Sequence, residues 1–96
     1  MTVSLASNIV PVYLKLGKPL LMEERLKQAI QYLPGDMSLL NSLAYQFAVE
    51  DYRLEQAEEW IEEVYKNTQV TSSYADTFAW VMYKQERYEE AKKHID

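Results

Sequence analysis

The chain has 96 residues, of which 48% are hydrophobic and 26% are charged, a balance typical of one small globular domain. Acidic residues outnumber basic ones by 15 to 10, and the net charge of −5 disfavours nucleic acid as a partner because phosphate binding requires a cationic face. The chain has no Cys, which excludes disulfides and thiolate chemistry, and its two Gly and three Pro are too few for the turns of an all-β fold. We therefore expect a helical protein.

The N-terminal segment does not have the features of a targeting sequence. Residues 1–19 lack a basic start, and Pro11 and Lys15 interrupt their apolar run, so no signal peptide is predicted. The chain contains no window of about 18 consecutive apolar residues, so no membrane span is predicted either. The sequence leaves the compartment of the protein open.

Apolar spacing predicts six helices along the chain. Apolar residues recur at intervals of three and four, as in Leu39, Leu40, Leu43 and Phe47, so each helix has a face to bury. Pro11 does not fit a helix interior, because proline lacks a backbone donor and crowds the preceding turn, so we expect a kink there or a helix that begins late. The predicted helices are 3–16, 19–33, 37–50, 54–67, 72–85 and 88–96.

Local signals mark several ends of these helices. Asp36 and Ser72 are predicted N-caps, and Ser73 with Asp76 resembles a capping box. Pro34-Gly35 is predicted to end the second helix.

The chain also repeats itself. Residues 54–61 (LEQAEEWI) align with residues 88–95 (YEEAKKHI) at an offset of 34. The helices before them align at an offset of 35, with residues 43–48 over residues 78–83, which indicates one inserted residue near Asp51-Tyr52. Such a period predicts stacked helix pairs.

The upstream part of the chain follows the same template. Ile9 matches Leu43 and Phe78 at offsets of 34 and 69. A single domain of three units is therefore predicted over residues 1–96, with units at about 3–36, 37–71 and 72–96, the last of them truncated.

These units resemble the tetratricopeptide repeat, a helix-turn-helix unit of 34 residues. The second unit carries Leu40-x-x-Leu43-Ala44-x-x-Phe47 and then Ala57-x-x-x-Ile61; the third carries Ala75-x-x-Phe78-Ala79-x-x-Met82 and then Ala91-x-x-x-Ile95. The first unit carries Ala6-x-x-Ile9-Val10-x-x-Tyr13, Met22-x-x-x-Leu26 and the final Pro34. The resemblance covers essentially the whole chain, and it implies an all-α fold: an α-solenoid of about three repeats in a right-handed superhelical stack.

The resemblance gives the alanines a structural role. Ala44, Ala57, Ala79 and Ala91 are expected where paired helices cross, because a larger side chain would hold the backbones apart. The segment KQER, residues 84–87, is expected to be the turn of the third helix pair.

The resemblance also implies a function. In this family the first helix of each pair lines a concave groove that receives a peptide or a helix of a partner. The groove residues in the same register are Ser7, Leu14 and Ala48 together with the predicted binding residues Asn41, Tyr45, Asp76, Trp80, Tyr83 and Lys84. Asp76 would repel the C-terminal carboxylate that some members clamp, so an apolar ligand that contacts the aromatic rings, or a basic segment, is expected. The alternative is that these rings pack against neighbouring helices.

A structural role is the second hypothesis. The third unit ends without a capping helix, so its edge at Tyr88, Ala91 and Ile95 is expected to meet either further chain or another molecule, including a second copy. The segment would then be a spacer or self-assembly surface of a larger protein.

An enzyme is not expected. The pairs Glu58-Glu59, Glu62-Glu63 and Glu89-Glu90 diverge by about 100° on a helix and form solvated faces. Glu90, His94 and Asp96 are a weak metal set, since a structural zinc site takes four ligands and His94 is the only histidine. No catalytic residue, cofactor or metal site is therefore predicted.

Overall fold

The structure is a computed structural model that describes the backbone of residues 3–95 and the side chains of residues 6–87. Over this range the protein is all-α, with no β-strand. Its five helices are α1 (Val3–Lys15), α2 (Pro19–Tyr32), α3 (Met37–Val49), α4 (Leu54–Asn67) and α5 (Ser72–Ile95).

The first helix contains its proline. Because α1 begins at Val3 and includes Pro11, the expectation of a helix that begins late is wrong. The turn that follows spans residues 16–18, with Gly17 in the left-handed region at φ 71°, a conformation that glycine adopts without steric cost. Pro19 then occupies the first position of α2, where a missing backbone donor is tolerated.

The third helix is capped as predicted. The Asp36 carboxylate accepts a hydrogen bond of 3.0 Å from the backbone N–H of Leu39. For α5 the cap is Thr71, whose hydroxyl oxygen accepts from the Tyr74 N–H at 3.3 Å. The predictions that Ser72 is the N-cap and that Ser73 and Asp76 form a capping box are therefore wrong, since Ser72 is already the first helical residue.

The turn between α3 and α4 is held by contacts with other elements. Asp51 (φ 52°) and Arg53 (φ 42°) both lie in the left-handed region, which costs a residue other than glycine about 1–2 kcal/mol. The Tyr52 N–H donates to the Phe47 carbonyl at 2.9 Å and closes the end of α3. Asp51 pairs with Lys84 of α5, while Tyr52 and Arg53 both bond to Glu23 of α2.

The last helix corrects the sequence prediction. Residues 72–95 form one continuous helix of 24 residues, not two helices at 72–85 and 88–96, and residues 84–87 are helical instead of forming a turn. Residues 84–87, Lys-Gln-Glu-Arg, are all good helix formers, and none of them favours the left-handed region as Gly17 does.

The helices pack in two layers. Helix α3 contacts α1 on one side and α5 on the other, while α2 packs on α1 and α4 packs on α3 and α5. The buried core includes Met22 and Leu26 of α2, Phe47 of α3 and Ile61 of α4. The Phe47 ring meets two others edge-on, Tyr52 at 5.1 Å and Trp60 at 4.8 Å between centroids. Over residues 3–95, no helix combines the length and apolarity needed to cross a bilayer.

The alanines of the repeat have different environments. Ala44 and Ala57 are fully buried within the α3–α4 pair, as the crossing role requires. Ala79 is exposed, so its prediction as a helix contact is wrong for a single chain: with α5 straight, no second helix returns to cover it. Ala91 lies outside the residues with described side chains.

Candidate ligand-binding groove

A groove of about 470 Å³ runs between α1, α3 and α5. It forms because these helices are neighbours in one layer, so the faces that they turn away from α2 and α4 stand side by side. Its lining consists of polar residues from all three helices: Ser7, Asn41, Ser42, Tyr45, Gln46, Ser72, Ser73, Asp76 and Thr77. We call this feature the polar groove.

The structure divides the six predicted binding residues into two sets. Asn41, Tyr45 and Asp76 line the polar groove. Trp80, Tyr83 and Lys84 lie one to two turns further along α5, where they form a second surface that we call the aromatic cluster.

The hydroxyl and amide side chains of the polar groove can donate and accept hydrogen bonds, and two of its acceptors stand out. Among the described residues that line the groove, Asp76 is the one that is charged. Asn41 Oδ1 is buried and has no hydrogen-bond partner among the described residues, and an unpaired buried acceptor costs about 1–3 kcal/mol. Tyr45 is 46% exposed and offers an aromatic face beside these polar groups. The arrangement therefore suits a ligand that brings hydrogen-bond donors.

The aromatic cluster is ordered by contacts within α5. The rings of Trp80 and Tyr83 stack with centroids 5.6 Å apart and planes at 24°. Lys84 Nζ lies 5.4 Å from the Trp80 centroid, and the Arg87 guanidinium lies 5.8 Å from the Tyr83 centroid. Trp80 is 37% exposed and Tyr83 is 48% exposed, so both rings keep surface open to solvent.

Lys84 also connects α5 to the α3–α4 turn. Its ammonium is 3.0 Å from Asp51 Oδ1, and its side chain is only 13% exposed. Leu14 and Ala48, which share the groove register, instead pack in or against the core. Lys84 therefore helps to position the Trp80 ring, and its ammonium already interacts with Asp51 and Trp80.

Sequence reasoning missed several lining residues. Ser42, Gln46, Ser72, Ser73 and Thr77 complete the polar groove, and the available signal was their small or amide side chains next to predicted groove positions. Arg87 was missed because it belonged to the predicted turn. In a continuous helix it lies four residues after Tyr83, and residues so spaced are neighbours on the helix surface.

A second polar cluster lies on the other layer. The Tyr52 hydroxyl donates a 2.5 Å hydrogen bond to Glu23 Oε2, and Arg53 pairs with Glu23 Oε1. Burial, this hydrogen bond and the charge of Glu23 raise the pKa of Tyr52 to about 12, against an opposing effect of Arg53. Tyr52 therefore stays protonated at neutral pH and joins α2 to the α3–α4 turn.

The carboxylates of the predicted Glu pairs have different environments. Glu58 accepts a hydrogen bond from Gln85 Nε2 at 3.2 Å, while Glu59, Glu62 and Glu63 are exposed. Among the described residues, no three His, Cys, Asp or Glu side chains are grouped closely enough to hold a metal. The pair Glu89-Glu90 and the weak metal set with His94 lie outside the described side chains.

Comparisons with known proteins add no relative to this picture. No protein-family model, no curated protein and no solved structure matches the chain.

Proposed function

We propose that the protein is a non-catalytic interaction module of tetratricopeptide-like repeats that holds a peptide or a helix of a partner protein in the polar groove. The observation that carries the proposal is the groove itself, because three successive first helices of the repeat units, α1, α3 and α5, contribute to one lining. Its volume is in the range of ligand pockets, about 300–1,000 Å³.

The charges indicate the chemistry of the partner. Asp76 brings a negative charge to the lining, and the whole chain carries a net charge of −5. A segment with Lys or Arg would bond to Asp76 and could donate to Asn41 Oδ1, whereas an acidic segment would be repelled. Tyr45 and the aromatic cluster supply apolar area for contact with such a segment, and their rings have few rotatable bonds to order on binding.

The experiment is a selection from a displayed random peptide library, followed by fluorescence anisotropy with the peptides selected. We expect enrichment of peptides that carry Lys or Arg and affinities that weaken as salt rises. A library that yields no binder above background would refute the proposal.

Two test substitutions and one control locate the site. Tyr45→Ala removes an exposed ring of the groove, and Tyr32→Ala is the matched control because Tyr32 is exposed on α2, in the other layer. We expect Tyr45→Ala to weaken binding roughly 10-fold or more and the control to leave it unchanged. Trp80→Ala tests the aromatic cluster in the same assay, with circular dichroism to confirm that helicity is retained. Equal binding by all three variants would place the ligand elsewhere.

A further inference from the structure

One face of α5 is uncovered in a single chain. At the offset of 35, Ala79 corresponds to Ala44 and Met82 corresponds to Phe47. Ala44 and Phe47 are buried in the α3–α4 pair, whereas Ala79 is exposed and Met82 is only half-buried. Ala75, one turn before Ala79, is exposed as well. The face defined by Ala75, Ala79 and Met82, which we call the open face, lacks the cover that α4 gives to α3.

The sequence that matches this cover is present in the same chain. Residues 88–95 align with residues 54–61, the part of α4 that contains the buried Ala57 and Ile61. In the structure, however, residues 88–95 continue α5. A helix rises 1.5 Å per residue, so residue 91 lies about 18 Å beyond residue 79 along the same axis. A straight helix cannot place this segment on its own open face.

The straightness of α5 has a local cause. At the offset of 69, Glu86 corresponds to Gly17, so the turn Leu16-Gly17-Lys18 aligns with Gln85-Glu86-Arg87. Gly17 reverses the chain in three residues through its positive φ. A glutamate in that conformation is strained, and its neighbours Gln85 and Arg87 favour helix. The third unit thus has the apolar pattern of a helix pair but lacks a glycine at the position where the chain would reverse between the two helices.

We propose that two copies of the chain exchange these segments and form a dimer, in which residues 88–95 of each α5 cover the open face of the other copy's α5. The two helices run antiparallel, with residues 85–87 of both copies near a twofold axis. The contact is the same from both sides and closes on itself, as expected for the exchange of an identical element. The dimer contact does not involve the polar groove. The dimer proposal is therefore independent of peptide binding.

The first experiment restores the missing turn. Glu86→Gly recreates the residue found at position 17, and Glu86→Ala is the matched control because it removes the same charge but keeps a strong helix former. Light scattering should give the native chain and Glu86→Ala a mass twice the 11.3 kDa of one chain. Glu86→Gly should dimerise on the order of tens-fold more weakly, since a glycine is introduced into both helices. Circular dichroism confirms that the variant remains folded.

The second experiment blocks the open face. Ala79→Arg adds a long charged side chain at an exposed position, so it should leave the single chain folded and abolish the dimer. Gln31→Arg, an equal change of charge at an exposed position of α2, should leave the dimer intact. A native chain that stays monomeric at hundreds of micromolar would overturn the proposal. So would a dimer that both Glu86→Gly and Ala79→Arg leave unchanged.

The third experiment separates exchange from other dimers. The chain has no Cys, so a single one can be introduced without background. Mixing chains that carry Ala79→Cys with chains of different mass that carry Ala91→Cys should give a mixed disulfide, because the repeat alignment pairs these positions as it pairs Ala44 with Ala57. Replacing the second partner by Gln31→Cys should not. Equal cross-linking by both mixtures would refute the exchange.

Discussion

Removing the Glu23 carboxylate should destabilise the fold more than its place on a helix surface suggests. In Glu23→Ala, the Tyr52 hydroxyl loses a hydrogen bond to a charged acceptor, which is worth about 1.5–3 kcal/mol. The lost pair with Arg53 adds only about 0–1 kcal/mol, because that side chain is 57% exposed. We therefore expect the free energy of unfolding to fall by about 1.5–4 kcal/mol.

Urea unfolding followed by circular dichroism measures this change. Glu24→Ala is the matched control, since Glu24 is the exposed neighbour on α2, and it should shift stability by less than about 0.5 kcal/mol. A double-mutant cycle with Tyr52→Phe should give a coupling energy of about 1 kcal/mol or more. Equal effects of the two Glu substitutions, or a coupling near zero, would refute the view that Glu23 holds the α3–α4 turn.

Three further predictions concern packing, capping and pH. Ala57→Leu should lower stability by about 1–3 kcal/mol through overpacking, while Ala79→Leu, at an exposed position and low protein concentration, should change urea stability little. Asp36→Ala should lower the free energy of unfolding by about 1 kcal/mol, because the Leu39 N–H loses its hydrogen-bond acceptor. Asp36→Asn should keep most of this stability, because Asn is also a good N-cap, and thermal melts of both variants measure the difference. Folding raises the pKa of Tyr52 from 10 to about 12, so the protonated hydroxyl stabilises the folded state. This contribution to the free energy of unfolding is complete below pH 10 and is lost as the pH rises to about 12. The difference in urea midpoint between the native chain and Tyr52→Phe should therefore shrink over that pH range.

Each of these predictions has a clear contrary result. Equal losses for the two Leu variants would show that burial of the crossing position does not limit packing. A cap substitution without effect would mean that the Leu39 N–H finds another acceptor. A tyrosinate absorbance titration in which Tyr52→Phe removes no late-titrating group would contradict the raised pKa.

The sequence predicted four helices closely because their ends carry physical signals. The predicted ends of α1, α2, α3 and α4 differ from the observed ones by at most one residue. Pro19 and Gly17 mark one turn, and Asp36 with Gly35 marks another. At the α3–α4 turn, the repeat alignment located the break even though Arg53, unlike Asp51, is not of a residue type enriched at positive φ.

The errors have a common cause. For α5 the repeat template was given more weight than local propensity, yet residues 84–87 contain nothing that ends a helix. Propensity alone would have joined the two predicted helices. For the site, the register placed Asn41, Tyr45 and Asp76 on the helix face that lines the groove. It could not show that Lys84 pairs with Asp51, because that contact depends on the conformation of the α3–α4 turn, which tertiary contacts determine.

The two tryptophans give the protein separate optical reporters. Trp60 stands edge-on to Phe47 against the core, while Trp80 is partly exposed and stacked on Tyr83. In a Trp80→Phe chain, emission would follow the unfolding of the α3–α4 pair. In a Trp60→Phe chain, it would follow events at the aromatic cluster. The same fold can thus be monitored for stability and for occupancy without an added dye.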